Sequence, residues 1–327
     1  MAAPRTGIPP AMVKLGYFLS CEEFDAPELV RQAKLAEEAG FEALWISDHF
    51  HPWLAEQGNS PFVWSVIGPV SQVCSLPIST AVTCPTTRIH PAIVAQAAAT
   101  SAVLTGGKFV LGVGSGEALN EHVLGHGWPS ADVRLEMLEE AIAVMRELWT
   151  GEIVEHHGEY YDVEHARLYS LPDSPPPVYV SGFGPKAAGL AGRIGDGFVC
   201  TKPDADLIKA FRDAGGEGKP MQAGTKVCWG PDAAKAKETA HHYWRNEALP
   251  GELAQILPTP EHFQQASTLI EVDAMPTPAG PDPKVHLESL RQYVDAGYDE
   301  LYVQQIGPDQ DGFFEFFAKN VLPELRG

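Results

Sequence analysis

Short apolar runs alternate with longer amphipathic segments along most of the chain. Runs of this length are typical of strands that are buried on both faces, and the segments between them carry apolar residues at helical spacing. The clearest helix is predicted at about 131–150. Its apolar residues recur every three or four positions and therefore share one face: Leu135, Leu138, Ile142, Met145 and Trp149. The pattern indicates an α/β protein.

Eight strand–helix units can be counted in order. The strands are predicted near 13–18, 43–46, 78–83, 108–113, 178–181, 196–200, 225–229 and 300–304. Strict alternation makes the strands parallel, and eight of them favour a closed (β/α)8 TIM-type barrel, with an open doubly wound sheet as the alternative.

Two segments interrupt the alternation. We expect a β-hairpin near 152–170, and loops with short helices over the site in a Pro-rich insertion near 248–283. Residues 1–12 are rich in Pro and Ala and are predicted to form a flexible N-terminus, which leaves 13–327 as a single TIM-barrel catalytic domain.

The overall charge narrows the classes of partner. The net charge of −20 argues against binding to nucleic acid or to an anionic membrane surface.

The five cysteines are widely spaced and form no CxxC pair, which fits a reducing compartment. No signal peptide and no transmembrane run is recognised, so we expect a cytoplasmic protein that acts on a small molecule.

Titratable side chains follow the second and fourth strands. The second strand runs into Asp48, His49, His51 and Trp53, and the fourth runs through a glycine-rich turn to Glu117. The carboxyl ends of barrel strands meet at one mouth, where His49 could serve as a general base. Glu117 could instead be only an acidic helix start. A His-x-His metal site would need further ligands at later strands, which lack them, so no metal is predicted.

Other strand ends contribute to the same mouth. The turn 181–185 is rich in glycine and enters a helix with Pro, which suits a phosphate cradle, although a plain tight turn has the same pattern. Glu22 follows the first strand and Cys84 follows the third. Because no base lies near Cys84 in the sequence, a nucleophilic thiol is not expected there.

Together these motifs resemble the coenzyme F420-dependent glucose-6-phosphate dehydrogenase family, within the bacterial luciferase-like superfamily. The likeness covers most of the chain and is carried by the segments 14–17, 47–53, 91–97, 112–121, 158–161 and 191–198. It implies a TIM-type barrel that binds a deazaflavin at its carboxyl-terminal mouth, and a homodimer.

The resemblance also implies roles for individual residues. His49 matches the base on the substrate hydroxyl, Glu117 matches the acid near the deazaflavin N1, and Trp53 and Glu22 match further catalytic and substrate-binding positions. The implied cofactor-binding residues are Asp48, Ala81, Val82, Cys84, Ser115, Gly116, Asn120, Ser181, Gly182, Phe183 and Gly184. The bond between Ala81 and Val82 matches a cis peptide, although the family usually has Ser at the first position.

The substrate is where the chain departs from that family. A sugar phosphate needs Lys or Arg around its dianion. The segment after the sixth strand offers Thr201 and Lys202, and no Lys or Arg lies between Arg245 and Lys284. We therefore expect an F420-dependent dehydrogenase of a neutral sugar or another alcohol. A glucose-6-phosphate dehydrogenase proper, an FMN-dependent luciferase-like monooxygenase and a non-catalytic cofactor-binding relative remain as alternatives.

Overall fold

Eight parallel strands close into a barrel in the computed structural model, which describes residues 13–326. In chain order the barrel strands are β1 Lys14–Leu19, β2 Ala43–Ile46, β3 Ile78–Thr80, β4 Phe109–Val113, β7 Val178–Ser181, β8 Gly197–Cys200, β9 Met221–Val227 and β10 Glu300–Gln305, with the hairpin strands β5 Val154–His157 and β6 Asp162–Ala166 between β4 and β7. The predicted (β/α)8 fold is confirmed, and the predicted flexible N-terminus lies outside the described residues.

Helices separate the barrel strands and cover the outside of the barrel. They are α1 Ala26–Glu38, α2 Val63–Val73, α3 Pro91–Leu104, α4 Ala118–Glu121, α5 Ala131–Leu148, α6 Pro185–Ile194, α7 Ala205–Phe211, α8 Ala233–Trp244, α9 Leu253–Ile256, α10 Pro260–Ala266, α11 Pro283–Ala296, α12 Gln310–Asn320 and α13 Leu322–Arg326. Within residues 13–326, none of these helices is long and apolar enough to cross a membrane.

Local sequence signals explain where helix α1 begins and ends. The Asp25 side chain accepts a hydrogen bond of 2.9 Å from the backbone N–H of Glu28, and a Pro occupies the first turn. An acceptor at this position satisfies one of the unpaired N–H groups of a helix start. The helix ends before Gly40, whose φ of +92° is costly for other residues.

Aromatic side chains fill the barrel interior. The rings of Trp45 and Tyr302 stack with centroids 4.5 Å apart, and Phe18 meets Trp45 edge to face. Gly224 on β9 leaves the room that the Trp45 ring occupies, since a Cβ there would collide with the ring. The barrel below the site is therefore a packed core rather than a channel.

The predicted seventh strand was placed too late in the sequence. We expected it at 225–229, whereas β9 covers Met221–Val227. Its first half contains Gln222 and Gly224, which are not typical strand residues. Hydrogen-bonded pairing with β8 and β10 defines the strand there, because Gln222 pairs in register with Val199 and with Glu300.

Both predicted interruptions of the alternation are present. Strands β5 and β6 form an antiparallel hairpin outside the barrel sheet. The Pro-rich insertion folds as loops, α9, α10 and a short 3-10 turn, as expected. The third barrel strand is shorter than predicted, because it ends at Thr80, directly before a cis peptide bond between Ala81 and Val82.

Candidate active site

The imidazole of His49 lies between two carboxylates at the carboxyl-terminal mouth of the barrel. Its Nδ1 is 3.3 Å from Oε1 of Glu22, and its Nε2 is 3.4 Å from Oε1 of Glu117. The His49 side chain is 10% exposed, and that of Glu22 is 3% exposed. Nδ1 of His49 makes no hydrogen bond of standard geometry, so its contact with Glu22 is electrostatic. Side chains from three strand ends, those of β1, β2 and β4, thus meet at one point.

Glu22 is held so that one of its oxygens is left for His49. Its Oε2 accepts hydrogen bonds of 2.8 Å from Ser20 and from Ser47. Ser47 in turn accepts a hydrogen bond from the backbone N–H of Cys21. Because these partners occupy Oε2, the carboxylate is aligned with Oε1 toward the imidazole.

Asn120 joins the loop after β2 to the site acid. Its Oδ1 accepts hydrogen bonds from the backbone N–H groups of Phe50 and His51, and its Nδ2 donates to Oε1 of Glu117 at 2.7 Å. His51 turns away and contacts the carbonyl of Leu119 through Nδ1. Asn120 is therefore a positioning residue for both His49 and Glu117, a role that the resemblance did not supply.

Trp53 forms a wall beside His49. The two rings meet edge to face with centroids 5.1 Å apart, and the other side of Trp53 contacts Phe263 of α10 at the same centroid distance. Phe263 is fully buried with Leu54 and Leu119 in a small apolar cluster. The Pro-rich insertion thus packs over the site, as the sequence predicted.

Glycines at the end of β4 allow the segment with the cis peptide to pack closely against this strand. A Cβ at Gly114 would lie 2.7 Å from Cγ2 of Val82, and one at Gly112 would collide with the carbonyl of Thr80. Both glycines are buried. The two glycines therefore let Thr80 and Val82 pack directly against the end of β4, and the half-buried Val82 side chain is the surface that a planar ring could meet.

Gly116 and Cys84 form the next layer. Gly116 has a φ of +75°, and a Cβ there would lie 2.6 Å from Sγ of Cys84. The thiol is buried and contacts Oγ1 of Thr86 at 2.9 Å. Burial raises the pKa of the Cys84 thiol well above its ordinary value, which agrees with the expectation that it is no nucleophile. Ser115, beside Gly116, is half-buried.

Asp48 belongs to a buried ion network beneath the site. Arg88 donates to Oδ1 of Asp48 at 2.9 Å, and its Nε lies 3.4 Å from Oε1 of Glu121. Thr83 donates to the second Asp48 oxygen at 2.8 Å. Burial raises the pKa of Glu121 to about 7, against the opposing effect of Arg88. A single guanidinium therefore joins the loops that follow β2, β3 and β4. The Asp48 side chain is engaged in this network, and contact with a cofactor stays a prediction.

The predicted phosphate cradle lies between β7 and α6. Ser181 and Gly182 are buried, and a Cβ at Gly182 would lie 2.7 Å from the backbone nitrogen of Ala188. Gly184 precedes the first residue of α6, and the Phe183 side chain is exposed. The close approach of loop and helix explains the glycine at 182. Binding of a phosphate at this helix start stays a prediction.

Thr201 and Lys202 lie on the rim of the barrel. Both side chains are exposed. Their backbone carbonyls accept hydrogen bonds from the hydroxyls of Tyr293 and Tyr298, at 3.0 and 2.8 Å. The tyrosines anchor this loop through its backbone, and a contact of either side chain with a substrate stays a prediction.

Three charged residues near the mouth were missed by the sequence analysis: Glu23, Arg88 and Lys226. Glu23 accepts hydrogen bonds from Trp244, Gln304 and the backbone of Gly307, and burial raises its pKa to about 7. Its only sequence signal was its place next to Glu22. Arg88 follows the third strand, and Lys226 lies in the strand whose start was misplaced.

This geometry suits proton removal next to a flat ligand. An imidazole between two carboxylates is suited to act as a general base, because neighbouring negative charge favours a protonated ring. The surface by Val82 could hold a planar cofactor, and the two features share one mouth. Within residues 13–326, no group of three or more His, Cys, Asp or Glu side chains is arranged to hold a metal ion.

Comparison with known proteins agrees with this architecture. Residues 12–300 match the family described as luciferase-like monooxygenase. The chain is 35% identical to an F420-dependent glucose-6-phosphate dehydrogenase of Amycolatopsis mediterranei, over 96% of this chain and 99% of that protein. It is 37% identical to one of Segniliparus rotundus, over 96% and 98%.

A solved structure extends the comparison. An F420-dependent secondary alcohol dehydrogenase in complex with an F420-acetone adduct superposes with a TM-score of 0.88 at 31% identity, covering 96% of this chain and 99% of that one. Both the fold and the sequence are thus shared over nearly the whole length. The chain belongs to the luciferase-like monooxygenase family, in the branch that contains the F420-dependent glucose-6-phosphate dehydrogenases.

Proposed function

We propose that the protein is an F420-dependent dehydrogenase that oxidises an uncharged alcohol or sugar. The observation that carries the proposal is the placement of His49 between Glu22 and Glu117, at the same mouth as Val82 and the glycine-rich turn after β4. The relatives named for F420 support the choice of cofactor. FMN, which a monooxygenase of this family would use, is less supported, because the relatives that share 30% or more of the sequence are named for F420.

The glycine-rich turns support a cofactor site at this mouth. Gly112, Gly114 and Gly116 let Thr80, Val82 and Cys84 pack closely at the end of β4, and Gly182 allows close approach at the start of α6. The chemistry that a bound deazaflavin would supply is acceptance of the hydride that leaves the carbinol carbon of the alcohol, at its C5. Ser115, Asn120 and the loop from Ser181 to Gly184 are the proposed cofactor contacts, together with Asp48, Ala81 and Cys84.

His49 is the proposed base. Oxidation of an alcohol requires the hydroxyl proton to leave as the hydride leaves, and Nε2 of His49 takes that proton. Glu22 faces Nδ1 and stabilises the imidazolium, while Glu117 stands at the other nitrogen. Trp53 and Glu22 bound the space next to the hydroxyl, and Thr201 and Lys202 are the proposed rim contacts.

Glucose 6-phosphate is the second candidate substrate, because several of the relatives carry that name. Within residues 13–326, Lys202 on the rim makes no ion pair. Three other cations near the mouth are already paired with carboxylates: Arg88 with Asp48, Lys226 with Glu247 and Arg245 with Glu56. A phosphate dianion would have to compete with these acids. This arrangement favours an uncharged substrate.

The direct test follows the loss of F420 absorbance on mixing with uncharged alcohols, free sugars and glucose 6-phosphate. Turnover of an uncharged alcohol or sugar is expected. Efficient turnover of glucose 6-phosphate with the uncharged compounds inactive would overturn the proposed substrate class. A protein that purifies with FMN and consumes oxygen would overturn the proposed reaction.

A pair of histidine variants tests the role of the base. His49→Ala should lose turnover while still binding F420, measured by the fluorescence of the cofactor. His51→Ala is the matched control and should retain both, since the His51 ring bonds to the backbone of Leu119 and packs on the exposed Phe50 rather than on His49. Loss of F420 binding in His49→Ala alone would show a binding role instead.

The proposal also covers the assembly and the location of the protein. We propose a homodimer of single-domain subunits in the cytoplasm, in line with the family resemblance. Exposed apolar side chains on α2 and α3 support a contact surface: Val73, Ile93, Val103 and Leu104. Light scattering coupled to gel filtration would test it, and a monomer at micromolar concentration would contradict it.

A further inference from the structure

Lys226 projects into the mouth of the barrel from β9. Two residues earlier, Gly224 faces the Trp45 ring in the barrel interior. Side chains two apart on a strand share a face, so Lys226 points inward one layer higher. It is paired in register with Gln304, which donates a hydrogen bond of 3.0 Å to Glu23, the neighbour of Glu22. Lys226 therefore lies on the inner wall, on the substrate side of the core.

The ammonium group of Lys226 is already engaged. Its Nζ is 2.5 Å from Oε1 of Glu247 and 4.1 Å from the centroid of the Trp244 ring. The side chains of Lys226 and Glu247 are only 15% and 25% exposed. An ion pair that is shielded in this way is screened less by salt than a surface pair. Glu247 thus neutralises the one lysine that β9 presents to the mouth.

Glu247 reaches this position from the turn directly before the Pro-rich insertion. It lies in a short 3-10 turn, residues 245–248, directly after α8. The same turn is tied to the barrel loops by Arg245, which pairs with Glu56 at 2.8 Å. Trp244 donates to Glu23 at 2.5 Å. Two polar links, from Arg245 and from the preceding Trp244, therefore hold the turn in place and keep the backbone of Glu247 beside Lys226.

We propose that Glu247 is a specificity-determining residue, which excludes phosphorylated substrates by withholding Lys226 from a phosphate dianion. A phosphate that approached Lys226 would meet the Glu247 carboxylate, with the carboxylates of Glu22 and Glu117 also at the mouth. Like charge in a shielded site disfavours the dianion, whereas an uncharged hydroxyl meets no such penalty. This inference rests on the proposed function, and it identifies Glu247 as the residue that restricts the proposed dehydrogenase to uncharged substrates.

The test removes the charge of Glu247 and keeps its shape. In Glu247→Gln, the ammonium group of Lys226 becomes available to bind phosphate. Calorimetry should therefore show that inorganic phosphate binds this variant about tenfold more tightly than the wild type, because a charge-assisted hydrogen bond contributes that much or more to affinity. The ratio of kcat/KM for glucose 6-phosphate to that for glucose should rise by about the same factor. Glu271→Gln, an exposed acid of the Pro-rich insertion, is the matched control and should change neither value.

A second substitution tests whether the gain in phosphate affinity depends on Lys226. Adding Lys226→Met to Glu247→Gln should return phosphate binding to the wild-type level, and Glu247→Ala should repeat the gain seen with Gln. Unchanged phosphate affinity in both Glu247 variants would overturn the inference, as would tight phosphate binding by the wild type. Failure of the proposed function can be distinguished from failure of this inference. If the proposed function is wrong, the wild-type enzyme will oxidise no uncharged alcohol with F420.

Discussion

The buried carboxylate of Glu22 lies 3.3 Å from Nδ1 of His49, although the two residues belong to different strand ends. Two serine hydroxyls hold the other oxygen of Glu22, so its negative charge is directed at the ring. A fixed carboxylate behind an imidazole stabilises the ring when the far nitrogen takes a proton. This pair is the basis for the proposed proton transfer by His49.

Replacing Glu22 by Gln should slow the chemical step. The amide keeps the size of the side chain but removes the charge that faces Nδ1, so kcat is expected to fall about a hundredfold. F420 affinity should change little. Glu38→Gln, on the exposed end of α1, is the control and should behave as the wild type. A Glu22→Gln enzyme with full kcat would contradict the role of Glu22.

Removing Arg88 should destabilise the protein strongly. Arg88→Met would leave the carboxylates of Asp48 and Glu121 buried without a cation, which costs about 3–5 kcal/mol. Urea unfolding would measure this loss. Arg146→Met removes an exposed pair with Asp196 and should cost less than about 1 kcal/mol. Similar losses in the two variants would show that the network contributes little.

Glu23 should make stability fall as the pH rises. Burial raises its pKa from 4.5 in the unfolded chain to about 7 in the fold, so between these values the folded state binds more protons than the unfolded state. The free energy of unfolding therefore decreases from about pH 5 to about pH 7, by up to roughly 3 kcal/mol.

The variant Glu23→Gln isolates this effect. It cannot titrate, so its free energy of unfolding should decline less over that pH range than that of the wild type, whatever its absolute stability. Glu121 titrates in the same direction and stays in both proteins. Urea unfolding at several pH values would measure the two slopes, and equal slopes would contradict the prediction.

Gly116 should tolerate no side chain. Alanine there would adopt a φ of +75°, and its Cβ would press on Cys84 and on Glu121. Strain of this kind costs about 1–3 kcal/mol, and F420 binding should weaken as the turn shifts. Gly127→Ala is the control, because a Cβ there meets no atom within 4 Å. Urea unfolding and F420 fluorescence would show whether only the first variant is impaired.

The sequence determined the fold through local patterns. Helix α5 was predicted from its apolar stripe, and β2 and β7 from apolar runs with the bounds the structure shows. Strand β9 was misplaced, since Gln222 and Gly224 carry no strand pattern of their own. Pairing with the neighbouring strands and the space needed by Trp45 define that strand, and both depend on distant parts of the chain.

For the site, the sequence alone determined which residues reach the mouth, because parallel strands of a barrel all end on the same side. His49, Glu117 and Glu22 could be selected on that ground. Only the tertiary structure decided how their charges are paired. Arg88 meets Asp48 across 40 residues, and Lys226 meets Glu247 across 21. Such pairings depend on distances of a few ångströms between separate loops, and no spacing along the chain specifies them.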